Sequence, residues 1–334
     1  MSYTEDNSLE TVPDISYNHI NYQVFQLLED LEAAGQTSSP RGLKTKEANL
    51  ATLDIDPEYP VMDFPARRFN WRYFAGELAW YLRADTSIEY INNFSSFWKD
   101  ICPTGHANSN YGSLLFKSHP GSNKDILWKF PNGDVNGTNQ LEWVYDSLVK
   151  DKNTRQAVAF FNSPVFQFEG NKDFVCTMYI NFWIRKDHLE MKVQMRSNDI
   201  FFGLTYDAPW FSAIHQSMFL NLKKVYPELN LGVYYHCADN IHFYERHFEK
   251  ADKILDDGID TSIKLKMIHP LFRFIETSYP GKHQLLINEE AVTYLKIVDD
   301  IVESGEVKKD QLYWKNVLGY LFEITGDNLE DSIK

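Results

Sequence analysis

Two apolar runs separated by a two-residue turn constrain this chain more than any other feature. Residues 174–185 and 188–195 are dense in β-branched and aromatic side chains, and Lys186-Asp187 joins them. Runs of that composition at that spacing predict a pair of antiparallel strands. Cys176 lies on the first strand, and the second ends on Arg196-Ser197-Asn198-Asp199, followed by Gly203 and Asp207. A thiol and an Arg-Ser pair at one end of a hairpin can converge on a single ligand. A lone cysteine on an apolar run is also commonly an inert core residue, so the hairpin alone leaves both readings open.

The flanking sequence predicts helices and short strands in one main domain. Helical spacing of apolar residues appears over 17–34, 71–82 and 289–303, with further helices expected over 140–150, 209–225 and 311–325. Thr86 and Glu89 fit a capping box that starts another helix, and Asn139 with Glu142 fits a second. Short strands are expected over 50–55, 156–161 and 232–238, with a helix after Asn240 bearing His242, Tyr244 and His247. Glu77 is the one acid in the strongly apolar 71–82 helix, and charged groups are seldom buried there without a reason. With 43% hydrophobic and 15% aromatic residues the chain can bury a large core. The expected organisation is a flexible tail over 1–16, a main domain over 17–255, and a helical C-terminal extension over 256–334 packed on that domain.

Charge and cysteine usage exclude several classes. A formal charge of -14 disfavours non-specific binding to nucleic acid or an anionic membrane, while leaving room for an anionic ligand held by a few arginines. Three scattered cysteines make neither a disulfide framework nor a zinc site, so a reducing, cytoplasmic setting without a metal is expected. No apolar run approaches a membrane span, and the polar, acidic start is not a signal peptide.

The segments GELAWYLRADTSIEYI, FWKDI with NSNYG, the Cys176 strand, MRSNDIFFGL and NIHFY occur in one order, and together they resemble the thymidylate synthase family. The resemblance runs from Arg41 to about His247 and fades beyond. It implies an α+β fold with a large mixed β-sheet flanked by helices, and a homodimer packed through its sheets. It also implies a pyrimidine nucleoside monophosphate as substrate and 5,10-methylenetetrahydrofolate as co-substrate. By resemblance Cys176 is the nucleophile, Glu77 the catalytic acid that organises water and protons, and Tyr111 the tyrosine near the base. Trp98 is an aromatic wall for the folate, and Asp199 meets the pterin. Arg41, Arg196 and Ser197 are phosphate ligands, Asn198 and Gly203 belong to the substrate-binding motif, and His242 with Tyr244 holds the sugar 3′-hydroxyl.

Three departures from the family pattern carry information. The phosphate-binding Arg-Arg pair reaching in from a partner subunit is Arg155-Gln156 here, so Arg155 alone carries over. The tail that closes over the folate is not recognisable in GDNLEDSIK. Asp207 stands where most members have Asn. An Asn amide matches the N3–H and O4 of uracil, whereas a carboxyl group can share a proton with N3 of cytosine and accept from its 4-amino group. Asp is also a favoured helix N-cap, and 209–225 begins just after it. The arrangement is similar to that of phage deoxycytidylate hydroxymethylases. The expected reaction is therefore 5-hydroxymethylation of dCMP, with water completing the product and NSN ahead of Tyr111 placed to hold that water. Methylation to 5-methyl-dCMP or dTMP, hydroxymethylation of CMP, and a silent binding homologue are the alternatives.

Overall fold

The computed structural model describes residues 17–117, 139–259 and 262–326. Expectations for the 1–16 tail and for the closing tail beyond residue 326 lie outside the described residues. The expected hairpin organises the rest. β4 (Thr177–Arg185) and β5 (His188–Met195) pair antiparallel across Lys186 and Asp187, both of which have positive φ. That geometry matches the twist of the two strands, as a two-residue hairpin requires.

The sheet runs β1-β2-β7-β5-β4-β3, built from β1 (Gln36–Ser38), β2 (Thr45–Ile55), β3 (Val158–Phe160) and β7 (Asn230–Tyr244). A two-residue β6 (Asn198–Asp199) adds to β7. β5 and β6 run parallel to β7 and the other pairs are antiparallel, so the sheet is mixed. Strand period makes its two faces unlike. Ile180, Phe182, Met191, Val193 and His236 point into the core, while Tyr179, Trp183, Lys192, Gln194, Tyr235 and Cys237 point to an outer, half-exposed face.

Helices pack on the inner side and around the edges: α1 (Ile20–Ala34), α2 (Trp71–Arg83), α3 (Phe97–Ile101), α4 (Tyr111–Phe116), α5 (Gln140–Lys150), α6 (Thr205–Leu222) and α7 (Phe248–Asp257). The Asn139 capping box forms as expected, its side chain accepting at the start of α5 while Glu142 reaches back to the Asn139 N–H. Two glycines allow close approach: a Cβ at Gly112 would strike the Tyr81 carbonyl, and one at Gly76 the Phe94 ring.

Local reading fails at five places. Thr86 and Glu89 start no helix; Ser87 bridges to His106, the Ser87 carbonyl accepts from Trp80 Nε1, and only a turn over Ile91–Asn93 follows. The segment from FWKDI to NSNYG, where no helix is expected, holds two short helices, α3 and α4. β7 continues through Tyr244, so His242 and Tyr244 sit on a strand; ten-residue pairing with β2 outweighs the local helical appearance. Chain 311–325 is α9 (Gln311–Leu318) followed by a strand, β11 (Phe322–Thr325), which pairs β8 (Lys264–Met267). The region after α7 thus carries the expected α8 (Glu289–Glu303) together with four short strands, including a β9 (Phe272–Glu276) and β10 (His283–Ile287) hairpin. Finally, the helix expected from residue 209 begins earlier. A π-helical turn over Ile200–Leu204 leads straight into α6, capped by Asp199 rather than Asp207. Ile-Phe-Phe-Gly offers no helical signal, so sequence alone puts the start too late.

Candidate active site

Cys176 lies just before β4, where Arg196 binds back across the strand pair. Arg196 Nη2 donates to the Phe174 carbonyl at 2.6 Å and approaches Cys176 Sγ at 3.4 Å, and its Nε donates to the Val175 carbonyl at 3.1 Å. The guanidinium thereby fixes the backbone that presents the thiol. Burial pushes the thiol above its ordinary value; the Arg196 charge opposes this, Asp207 and Asp173 add to it, and Arg41 pulls slightly down. The Arg196 charge favours the thiolate, yet burial outweighs it.

Asp173 ties the neighbouring loop to this strand. Its Oδ2 accepts from the Asn108 and Ser109 backbone N–H groups at 2.6 and 3.0 Å. The amides of NSN are spent on structure: Asn108 donates to Asn171 and Asp173, and fully buried Asn110 caps α4 while donating to the Trp80 and Asp85 carbonyls. These bonds give the segment a structural role. What it does is aim Tyr111, the first residue of α4, whose buried phenol lies near Thr177, Cys176 and Asp207.

Glu77 is 6% exposed on α2. Tyr73, one turn earlier, donates from its hydroxyl to Glu77 Oε1 at 2.7 Å, and Tyr81, one turn later, is also within hydrogen-bonding reach. Burial, with the nearby Asp207 charge, pushes the Glu77 carboxyl up to about 8, so it holds its proton at neutral pH. Trp98 is equally buried, and its indole N–H reaches the Tyr73 hydroxyl at 3.3 Å, so it touches the site through Tyr73. The Tyr73-Glu77-Tyr81 stripe is missing from the sequence reading although its i, i+4 spacing is visible there.

Asp207 projects from the first turns of α6. Its Oδ2 accepts from Asn198 Nδ2 at 2.7 Å, and burial raises the carboxyl to about 7. Gly203 makes room for this pair: a Cβ there would stand 2.7 Å from Asn198 Nδ2 and 3.3 Å from Asp207 Oδ2. Asp199 spends Oδ1 on the Phe201 and Phe202 N–H groups, while its buried Oδ2 has no protein partner. Burial raises that carboxyl to about 6.

His242 and Tyr244 alternate along the end of β7 with rings 5.3 Å apart, and the Asn240 Oδ1 lies 3.0 Å from His242 Nδ1. Ser197 is half-buried between β5 and β6. Arg41 is exposed on a short turn with φ of 54°, and Arg155 is exposed on the loop before β3. The structure thus draws Cys176, Glu77, Tyr111, Arg196, Asn198, Gly203 and Asp207 together, and leaves Arg155 at the surface.

Residues 22–277 match the sequence model of the thymidylate synthase family. The chain belongs to that family. The match reaches past both ends of the stretch in which the motifs are legible. The chain is 27% identical over 225 residues to a deoxyuridylate hydroxymethyltransferase of Bacillus phage SP01, covering 65% of this chain and 55% of the relative. It therefore spans about half of that relative's length. It is 26% identical over 216 residues to a deoxycytidylate 5-hydroxymethyltransferase of Enterobacteria phage T4, covering 62% and 81% respectively. A thymidylate synthase of Mycoplasma genitalium is 23% identical over 222 residues, covering 59% and 71%. The family's enzymes carry out folate-dependent one-carbon transfer to a pyrimidine nucleotide. Among the described residues no cluster of His, Cys, Asp or Glu is placed to hold a metal ion, and no helix is long and apolar enough to cross a membrane.

Proposed function

We propose that the protein is a deoxycytidylate 5-hydroxymethyltransferase. The observation that carries the reading is Asp207: a carboxyl group beside Cys176 and Glu77, anchored by Asn198, with its proton affinity raised to about 7. Such a group can lend a proton to N3 of cytosine and accept from the 4-amino group. Its ionised form would set oxygen against O4 of uracil. Two relatives bear on the base. The T4 protein's name specifies deoxycytidylate, and the Bacillus phage protein's specifies deoxyuridylate, which makes dUMP the second reading.

In this reading the phosphate and sugar are held by Arg41, Arg196, Ser197, His242 and Tyr244, with Arg155 serving the phosphate of a second copy. Binding energy from these remote groups fixes the base over Cys176. The thiolate adds to C6, and electron density moves to C5 while Asp207 supports the charge building at N3. Methylenetetrahydrofolate, when bound, supplies a one-carbon unit at the oxidation level of formaldehyde. The unpartnered Oδ2 of Asp199 and the aromatic edge at Trp98 fit a pterin with its hydrogen-bond donors. Glu77, neutral at rest, can give a proton to a leaving nitrogen and then take one from water, while Asp207 has a lower affinity. Two carboxyl groups with separated affinities suit those opposite tasks. The half-exposed outer sheet face, with Trp183 and Tyr235 stacked at 5.8 Å, supports a sheet-to-sheet homodimer.

Mass analysis of the products from dCMP, dUMP and CMP with methylenetetrahydrofolate tests the proposal. A hydroxymethyl product from dCMP, without dihydrofolate absorbance, is expected. A 5-methyl product with stoichiometric dihydrofolate, or preferential use of dUMP, would overturn it.

A further inference from the structure

Asn198 is held from behind by two residues that no motif of the site includes. Fully buried Tyr234 and His236 lie on the inner face of β7, which carries β6 and Asn198 alongside. The Tyr234 hydroxyl is 2.6 Å from His236 Nδ1, and His236 Nε2 is 3.3 Å from Asn198 Oδ1. Each contact constrains the next. Asn198 points its NH2 at Asp207 Oδ2 and so turns its oxygen to His236. An oxygen there requires a proton on Nε2, which makes Nδ1 the acceptor for the Tyr234 hydroxyl. Every donor in the chain therefore points toward Asp207. The reversed Asn198 rotamer would place amide oxygen against Asp207 Oδ2 and NH2 against His236 Nε2, so Asn198 turns only if the His236 tautomer, the Tyr234 hydroxyl and the Asp207 proton all reverse with it. Burial keeps His236 neutral, with its affinity lowered to about 3, so the chain does not reverse by protonation.

We propose that Tyr234 and His236 are positioning residues that lock the Asn198 amide and thereby assign the two Asp207 oxygens: Oδ2 stays the unprotonated acceptor, and the shared proton resides on Oδ1. This rests on the reading of Asp207 as the group that meets the base. Oδ1 makes no hydrogen bond among the described residues, which leaves it for N3. The consequence is specificity. With the amide locked, the carboxyl presents a defined donor to cytosine; with it free to rotate, the proton can occupy either oxygen and discrimination weakens.

The test compares His236→Leu, His236→Gln and Tyr234→Phe, with Asp207→Asn alongside, by kcat/KM on dCMP and dUMP and by the pH profile of kcat on dCMP. The groups facing Asp207 are Glu77 and Tyr81 of α2, Tyr111 of α4, Cys176, and Tyr234 itself, and all are retained in His236→Leu. His236→Leu is expected to lower the dCMP/dUMP ratio about tenfold, the scale of one mispaired buried polar group. Losing an oriented donor also disfavours the carboxylate, so the limb of the profile set by Asp207 moves to higher pH. His236→Gln, which restores a donor, returns both readouts toward wild type, and Tyr234→Phe, which removes a single hydroxyl, moves both in the direction of His236→Leu. A loss of kcat with an unmoved limb and an unchanged ratio in folded His236→Leu overturns the proposal; should that variant not fold, the same result in Tyr234→Phe overturns it. If these variants are silent while Asp207→Asn still changes the ratio, the positioning role fails and the reading of Asp207 stands. If Asp207→Asn leaves the ratio unchanged, both fall.

Discussion

Replacing Glu77 by Gln is expected to stabilise the protein increasingly as pH rises, while abolishing turnover. Glu77 has an ordinary value of 4.5 and is raised by burial to about 8 in the fold. Below its unfolded value the carboxyl is neutral in both states and costs nothing. Between the two values the unfolded chain has released the proton that the folded chain still holds, so unfolding gains about 1.4 kcal/mol per pH unit. Integrated from 4.5 to about 8, the penalty approaches about 5 kcal/mol as a ceiling. Asp207 is raised to about 7, and its charge contributes to the Glu77 shift, so part of the penalty is shared and about 2–4 kcal/mol is the realistic scale. Gln is nearly isosteric, keeps an oxygen for the Tyr73 hydroxyl, and does not titrate. Urea unfolding of both proteins from about pH 5 to about pH 9 measures the difference directly. The variant's advantage should open across that range and level off above about pH 8. Stability curves that remain parallel would show that Glu77 does not carry a buried proton, and the acid role assigned to it would lose its physical basis.

Cys176→Ala should abolish product while dCMP binding, followed by calorimetry, persists; residual turnover above trace level would remove the covalent step. Asp207→Asn should shift the dCMP/dUMP ratio of kcat/KM toward dUMP by about 2–4 kcal/mol, and an unchanged ratio would mean that its pairing with Asn198 is structural. Gly203→Ala places a methyl group 2.7 Å from Asn198 Nδ2, so it should break the Asn198–Asp207 hydrogen bond and cost about 1–3 kcal/mol of stability together with base discrimination. Wild-type stability in that variant would show that the π turn can shift to absorb the methyl group.

The sequence by itself determined the hairpin around Lys186-Asp187, the α2 and α5 helices with the Asn139 cap, and the family, because each rests on local spacing or on an ordered set of motifs. It also supplied Cys176, Glu77, Tyr111, Arg196 and Asp207, which the fold then gathers around one point. It misplaced His242 and Tyr244 on a helix and the start of α6 at Pro209, since long pairing with β2 and the Asp199-capped π turn override local preference. Only the tertiary structure decided what these groups can do. Proton affinities near 8 and 7 for Glu77 and Asp207 arise from desolvation by elements distant in the chain. The line from Tyr234 through His236 and Asn198 exists only because β6 lies beside β7, and a one-dimensional pattern does not encode which strands become neighbours.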